Sequence, residues 1–215
     1  MDDIDTELRA FIGIPLGGAI QKCLRDSIIP LKAQLNNASS DTRQPAPQIR
    51  WVRPENWHIT LAFLGQISQD KASEIINLLA NTLATTPPFE AELETLGGFP
   101  HANSTIIAAL LRNNVALLEL HRQIQALCKI AGLRQARRAF TPHITLARIK
   151  TRKGHNYAGH HRGKHPGGIP MTRIAPMALG KHFTLNKVQL LKSHLSPEGS
   201  HYEILAEFLL AKHCV

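Results

Sequence analysis

The pentapeptide His-Ile-Thr-Leu-Ala occurs twice in this chain, at His58 to Ala62 and again at His143 to Ala147. An identical five-residue repeat within 215 residues constrains the fold more than any other feature, because one local conformation has to serve both copies. Each copy is expected to be a β-strand. Ile, Thr and Leu suit a pleated, half-buried surface, and a turn signal precedes each copy, Pro54-Glu55-Asn56 before the first and Thr141-Pro142 before the second. Side chains on a strand alternate faces, so His58 and Thr60 share one face and Ile59 and Leu61 the other. His143 and Thr145 stand in the same way against Ile144 and Leu146. If the copies sit in two related halves that face each other, the cleft between them holds two imidazoles and two hydroxyls.

That set of groups suits a phosphate ester. Cleaving a phosphodiester needs a base to activate the attacking hydroxyl or water and an acid to protonate the leaving oxygen. Two histidines titrating near neutrality can share the work, one neutral and one protonated. Threonine hydroxyls two residues along can donate hydrogen bonds to the non-bridging oxygens. The scheme requires no metal and no cofactor. A single His-x-Thr on a strand is ordinarily a surface pair without chemistry; duplication is what makes these four residues a candidate site.

A chain of this length can bury a substantial core, as one large domain or two small lobes, and repeat logic favours two lobes of similar build. The net charge of +9 fits a polyanionic partner such as RNA, although many basic proteins bind none. The three cysteines, Cys23, Cys128 and Cys214, are an odd, widely spaced set, read as reduced thiols of a cytoplasmic protein. Cys23 and Cys128 fall on apolar helix faces. Asp2, Asp3 and Asp5 open the chain without the basic start and apolar run of a signal peptide, and no stretch is long enough to span a membrane.

Along the chain, Arg9 to Ile14 reads as a strand ended by Pro15 and Gly17-Gly18. Ile20, Leu24, Ile28, Leu31 and Leu35 then recur at helical spacing, with Pro30 expected to kink or interrupt the helix. Asn36 to Gln48 is a polar linker, and Ile49 to Val52 a short strand. Ser68 is placed to cap a helix over about Gln69 to Leu83. Phe89 to Leu96 and Thr105 to Leu111 read as antiparallel neighbours around a Gly97-Gly98-Phe99-Pro100 break. A helix from about Asn114 to Ile130 is ended by Gly132, and strands are expected near Phe183 to Leu191 and Tyr202 to Leu210. Strands and helices mixed with antiparallel neighbours give an α+β fold. Lys150 to Lys181 is rich in Gly, Pro, His and basic residues without apolar periodicity, and reads as a surface loop that could steer a polyanion to the cleft. Its His155, His160, His161 and His165 match no established metal-ligand spacing and have no acidic neighbour.

Taken together, His58-Ile-Thr-Leu-Ala-Phe-Leu-Gly65 after Trp51-Val-Arg-Pro-Glu-Asn56, with Pro142-His-Ile-Thr-Leu-Ala-Arg148, resembles the two-histidine phosphoesterase superfamily. More narrowly, it resembles the bacterial and archaeal RNA 2′,3′-cyclic phosphodiesterases, historically called 2′-5′ RNA ligases. Arg9-Ala-Phe-Ile-Gly-Ile-Pro15 and Ser193-His-Leu-Ser-Pro-Glu-Gly-Ser-His-Tyr202 support the likeness, which runs from about Arg9 to Leu210. The resemblance implies a single bilobal domain over residues 1–215, with pseudo-symmetric lobes of antiparallel sheet and flanking helices around a central cleft, and the basic loop at about 150–181. It implies metal-independent hydrolysis of a 2′,3′-cyclic phosphate at an RNA end, or of a small cyclic phosphate, to a 2′-phosphate. His58 would give a proton to the leaving 3′ oxygen and His143 would activate water, while Thr60 and Thr145 hold phosphoryl oxygens. A monomer is expected. Ligation of 2′-5′ bonds, another cyclic phosphate substrate, and a non-catalytic RNA-binding module are the competing readings. Arg148 matches an arginine that often follows the second motif in the family and could clamp the phosphate. Strict alternation from His143 sends it to the opposite face unless the strand ends or bulges, so a clamp and a solvated surface arginine both remain open. Phe63 holds the corresponding place in the first copy, as core or beside a substrate base.

Overall fold

Alternating apolar residues along nine segments build one antiparallel sheet in the computed structural model, which describes residues 7–38, 48–100, 104–134, 139–150, 177–196 and 199–211. The elements in chain order are β1 (Leu8–Pro15), α1 (Gly18–Ala38), β2 (Gln48–Trp51), β3 (His58–Ile67), α2 (Gln69–Leu83), β4 (Phe89–Phe99), β5 (Ile106–Leu111), α3 (Val115–Ile130), β6 (His143–Lys150), β7 (Met177–Leu185), β8 (Lys187–Ser196) and β9 (Gly199–Leu209). The strand order is β7-β4-β5-β6-β3-β1-β8-β9, with β2 added on β6.

The sheet is two lobes joined at one point. β3, β1, β8 and β9 form one lobe and β6, β5, β4 and β7 the other; between them only Ile59 and Ile144 pair, the second residue of each repeat. Both isoleucines are fully buried. The antiparallel pairing at that bridge relates the repeats by a local twofold, and continuing its register sets His58 towards Thr145 and Thr60 towards His143. The two expected lobes are therefore present, but they are not the two halves of the sequence. The C-terminal hairpin β8–β9 pairs with β1 and completes the lobe of the first repeat.

The helices cover the apolar side of the sheet. Ser68 caps α2, its side chain accepting from the Lys71 amide, and Asn114 caps α3 by accepting from the Leu117 amide. α2 packs on α3 and β9, and α3 on β3 and β4. Gly132 ends α3 at φ +75°, where a glycine avoids the left-handed penalty.

Several expectations are revised. α1 runs through Pro30 without interruption and continues to Ala38. Pro30 lies on the exposed face, so the Asp26 carbonyl that loses its helical donor is on the side water reaches, while Leu24, Ile28, Leu31 and Leu35 keep the buried stripe. β4 extends through the expected Gly97-Gly98 break to Phe99 because both glycines pair with β5, opposite Ala108 and Ile107. The strand expected over Phe183 to Leu191 is two strands, divided at Asn186, and the irregular segment expected to reach Lys181 ends earlier because β7 starts at Met177. The four histidines from His155 to His165 lie outside the described residues. Cys128 is buried, which pushes its thiol up to about 11, and Cys23 is half-buried; neither is in a disulfide. Among the described residues no helix is long and apolar enough to cross a membrane.

Candidate active site

Both repeats carry the same defect in their strands, and that defect builds the site. Against β1, the register passes from Gly13–Thr60 to Ile12–Ala62, so Leu61 has no partner of its own. Against β5, it passes from Ala108–Thr145 to Ile107–Ala147, and Leu146 is skipped in the same way. Each is a β-bulge that inserts one residue and shifts the alternation by one. Leu61 with Ala62, and Leu146 with Ala147, are consecutive buried residues, after which Phe63 and Arg148 return to the face that carries the histidines. The bulge thus brings Arg148 into the cleft with His58, Thr60, His143 and Thr145, and sets Phe63, 70 % exposed, at the equivalent point of the first repeat. The cleft has a volume of about 780 Å³.

Each imidazole is anchored from two residues back. The His58 Nδ1–H donates to the Asn56 carbonyl at 2.7 Å, and the His143 Nδ1–H donates to the Thr141 carbonyl at 2.8 Å. A carbonyl can only accept, so the anchor fixes the tautomer and leaves Nε2 as the variable position. His58 Nε2 lies 3.0 Å from Thr60 Oγ1, which donates to it when the ring is neutral. No matching bond joins His143 to Thr145.

The two rings sit in unlike surroundings. His58 lies against Phe11, ring centres 4.7 Å apart, and edge-on to Tyr202 at 5.3 Å; His143 is stacked on Phe99 at 3.7 Å. Burial lowers the His58 pKa to about 4, assisted by the positive charges of His143 and Arg148. Burial also lowers that of His143, with Arg148 adding to it, while its bond to the Thr141 carbonyl opposes the shift. Burial and the neighbouring cations therefore hold both groups neutral at pH 7, and a bound anion would offset the Coulombic part of that penalty.

Comparison with known proteins gives this geometry its family. The family model described as the 2′-5′ RNA ligase superfamily matches residues 34–164. The chain belongs to that superfamily. An RNA 2′,3′-cyclic phosphodiesterase of Methanothermobacter thermautotrophicus is 26 % identical, the match covering 95 % of this chain and all of the relative. One from Geobacillus stearothermophilus is 34 % identical over 125 residues, covering 56 % of this chain and 40 % of that longer protein. Among solved structures, Thermus thermophilus TT0787 matches with a TM-score of 0.69 at 22 % identity, covering 94 % of this chain and 98 % of the other. E. coli LigT complexed with 3′-AMP matches with a TM-score of 0.68 at 22 % identity, covering 96 % and 100 %. These two share the two-lobed fold.

Within this member of the superfamily, the residues singled out from sequence converge on one cleft, and the additions are its supports. The carbonyls of Asn56 and Thr141 gave no side-chain signal. The aromatic walls Phe11, Phe99 and Tyr202 come from three different strands. Gly13 has a stronger reason to be noticed: a Cβ there would stand 3.1 Å from the Ile59 carbonyl oxygen and 3.3 Å from the His58 ring, so its missing side chain makes room for the imidazole. Asn56 is held in turn by its Nδ2 donating to the Ser200 carbonyl at 2.7 Å, which ties the His58 anchor to the β8–β9 hairpin.

Proposed function

We propose that the protein is an RNA 2′,3′-cyclic phosphodiesterase whose single bilobal domain hydrolyses cyclic phosphate termini to 2′-phosphates with two histidines and no metal. The observation that carries this reading is the pair of Nδ1-anchored imidazoles at equivalent points of one cleft, with Thr60, Thr145 and Arg148 around the space between them. Water attacks phosphorus while one imidazole Nε2 takes its proton. The P–O3′ bond breaks, and the other Nε2–H protonates the departing 3′ oxygen. Thr60, Thr145 and the Arg148 guanidinium stabilise the charge on the non-bridging oxygens. The full-length matches to proteins of this name support the substrate. The net positive charge supports an RNA partner, with the basic segment at about 150–181 steering it. The thiols of Cys23 and Cys128 are consistent with a cytoplasmic protein.

On this reading His58 is the donor and His143 the acceptor, as the family resemblance implies. A donor at His58 must gain its proton as the anionic substrate arrives, because burial holds that ring neutral. The opposite assignment gives His143 the proton and His58 the acceptor's part. A cyclic substrate with sulfur at the 3′ bridging position separates the two, since a thiolate leaves without protonation: the donor's alanine variant regains rate on it and the acceptor's does not.

The first test is an oligoribonucleotide ending in a 2′,3′-cyclic phosphate, incubated in EDTA with wild type and His143→Ala. Conversion to the 2′-phosphate by wild type alone is expected. Activity restored only by added divalent ions would overturn the metal-free scheme, and conversion by neither protein would leave ligation or RNA binding without turnover as the reading.

A further inference from the structure

One cation in the cleft is left over by the chemistry above. Arg50 on β2 pairs in register with Arg148 on β6, so the two guanidinium groups leave directly opposed backbone positions on the same face of the sheet. Like charges placed opposite each other repel, and among the described residues no carboxylate forms an ion pair with either. Arg50 Nη2 is shut off from solvent and, among the described residues, has no hydrogen-bond partner. It rests where Gly199 at the start of β9 leaves space, since a Cβ there would come within 3.1 Å of it. The covered Nη2 seats the guanidinium against β9, while Arg50 still lines the cleft. Around it, the cleft wall carries Arg9, Arg50, Arg53 and Arg148 against the single carboxylate of Glu55.

Arg148 acts electrostatically on both histidines and so belongs to the reacting phosphate. Arg50 is across from it on β2, against Gly199 at the start of β9. We propose that Arg50 forms a second anion subsite, which receives the phosphodiester one nucleotide 5′ of the reacting terminus, so that the cleft reads an RNA strand rather than a lone nucleotide. This rests on the phosphodiesterase reading for the identity of the first phosphate. A guanidinium suits the task because its fork can donate to two phosphate oxygens at once.

The test is a ratio. kcat/KM is measured for a dinucleotide ending in a 2′,3′-cyclic phosphate and for the matching cyclic mononucleotide, with wild type, Arg50→Gln and Arg50→Lys. Wild type is expected to prefer the dinucleotide. Arg50→Gln should lose about tenfold of that preference, the size of one charge-assisted hydrogen bond, mostly through KM, and Arg50→Lys should retain part of it. A ratio is insensitive to the fraction of variant that folds. An unchanged ratio, or equal loss on both substrates, would overturn the second subsite while leaving the phosphodiesterase intact. If wild type turned over neither substrate, the function itself would fall. The subsite would then be judged by binding of a 2′-phosphorylated RNA pentamer across a salt series, where Arg50→Gln should flatten the slope of log K by about 0.7. An unchanged slope would overturn it.

Discussion

The two repeats are identical over five residues and diverge at the sixth, and nearly all the asymmetry of the site follows from what stands around that identical core. In the β3 copy the neighbour strand offers Gly13 opposite the threonine; in the β6 copy the same place is Ala108. The bulge of the β3 copy delivers Phe63 to the cleft, whereas that of the β6 copy delivers Arg148. One imidazole is bonded to its own threonine and walled by Phe11 and Tyr202, and the other is stacked on Phe99. Backbone geometry is thus shared while polarity is not. A twofold scaffold holds a site in which two chemically identical rings can titrate differently and take different parts.

The largest effect that can break this comparison is removal of either imidazole. His58→Ala and His143→Ala should each lower turnover by about 10²- to 10⁴-fold, and the double variant should lose little more, because acid and base act as a unit. Additive losses in single-turnover assays would mean that the rings do not share one step. Next in size is the residue after each bulge. Arg148→Gln should cost about tenfold to a hundredfold in kcat/KM, while Phe63→Gln should leave more of it, since on the proposed mechanism Arg148, unlike Phe63, meets the reacting phosphate. Equal losses would show that the copies contribute alike.

The neighbour strands give a smaller contrast. Gly13→Ala should press on the Ile59 carbonyl and the His58 ring, lowering turnover several-fold, and Ala108→Gly should cost stability of about 1 kcal/mol with little change in turnover. Kinetics and denaturant midpoints on the two variants decide this.

The smallest expected difference is in stability against pH. His58 binds its proton more weakly folded, near 4, than unfolded, near 6.5, so the unfolded chain takes up protons first as pH falls. Its contribution is complete above pH 6.5 and is lost on descent towards 4, up to about 3 kcal/mol. His58→Gln should flatten that part of the pH–stability curve more than His143→Gln. Identical curves would remove the electrostatic distinction between the copies.

Much of this site is legible in the sequence, for physical reasons that differ by element. The bounds of α2 are legible because its apolar period and its Ser68 cap are local signals. The pairing of His58 with Thr60 and of His143 with Thr145 follows from alternation alone. The return of Arg148 to the cleft was also written there, in the doublets Leu61-Ala62 and Leu146-Ala147, where two apolar residues in succession mark the slip of one position. Strict alternation hid it. The contribution of β8 and β9 to the first lobe could not be read locally, since Ala10 pairs with Lys192 across most of the chain. Nor could the run through Pro30, which depends on which face of α1 meets water.

The lone bridge between Ile59 and Ile144 has a further meaning. A twofold through the middle of a binding cleft is the symmetry of a homodimer, in which every change on one side is forced upon the other. Here both sides are encoded in one polypeptide. Arginine could therefore be placed where its counterpart is phenylalanine, and glycine where its counterpart is alanine, without doubling either choice. The covalent link between the lobes is what allows a symmetric cradle to hold an asymmetric molecule, with two unlike sides to tell apart.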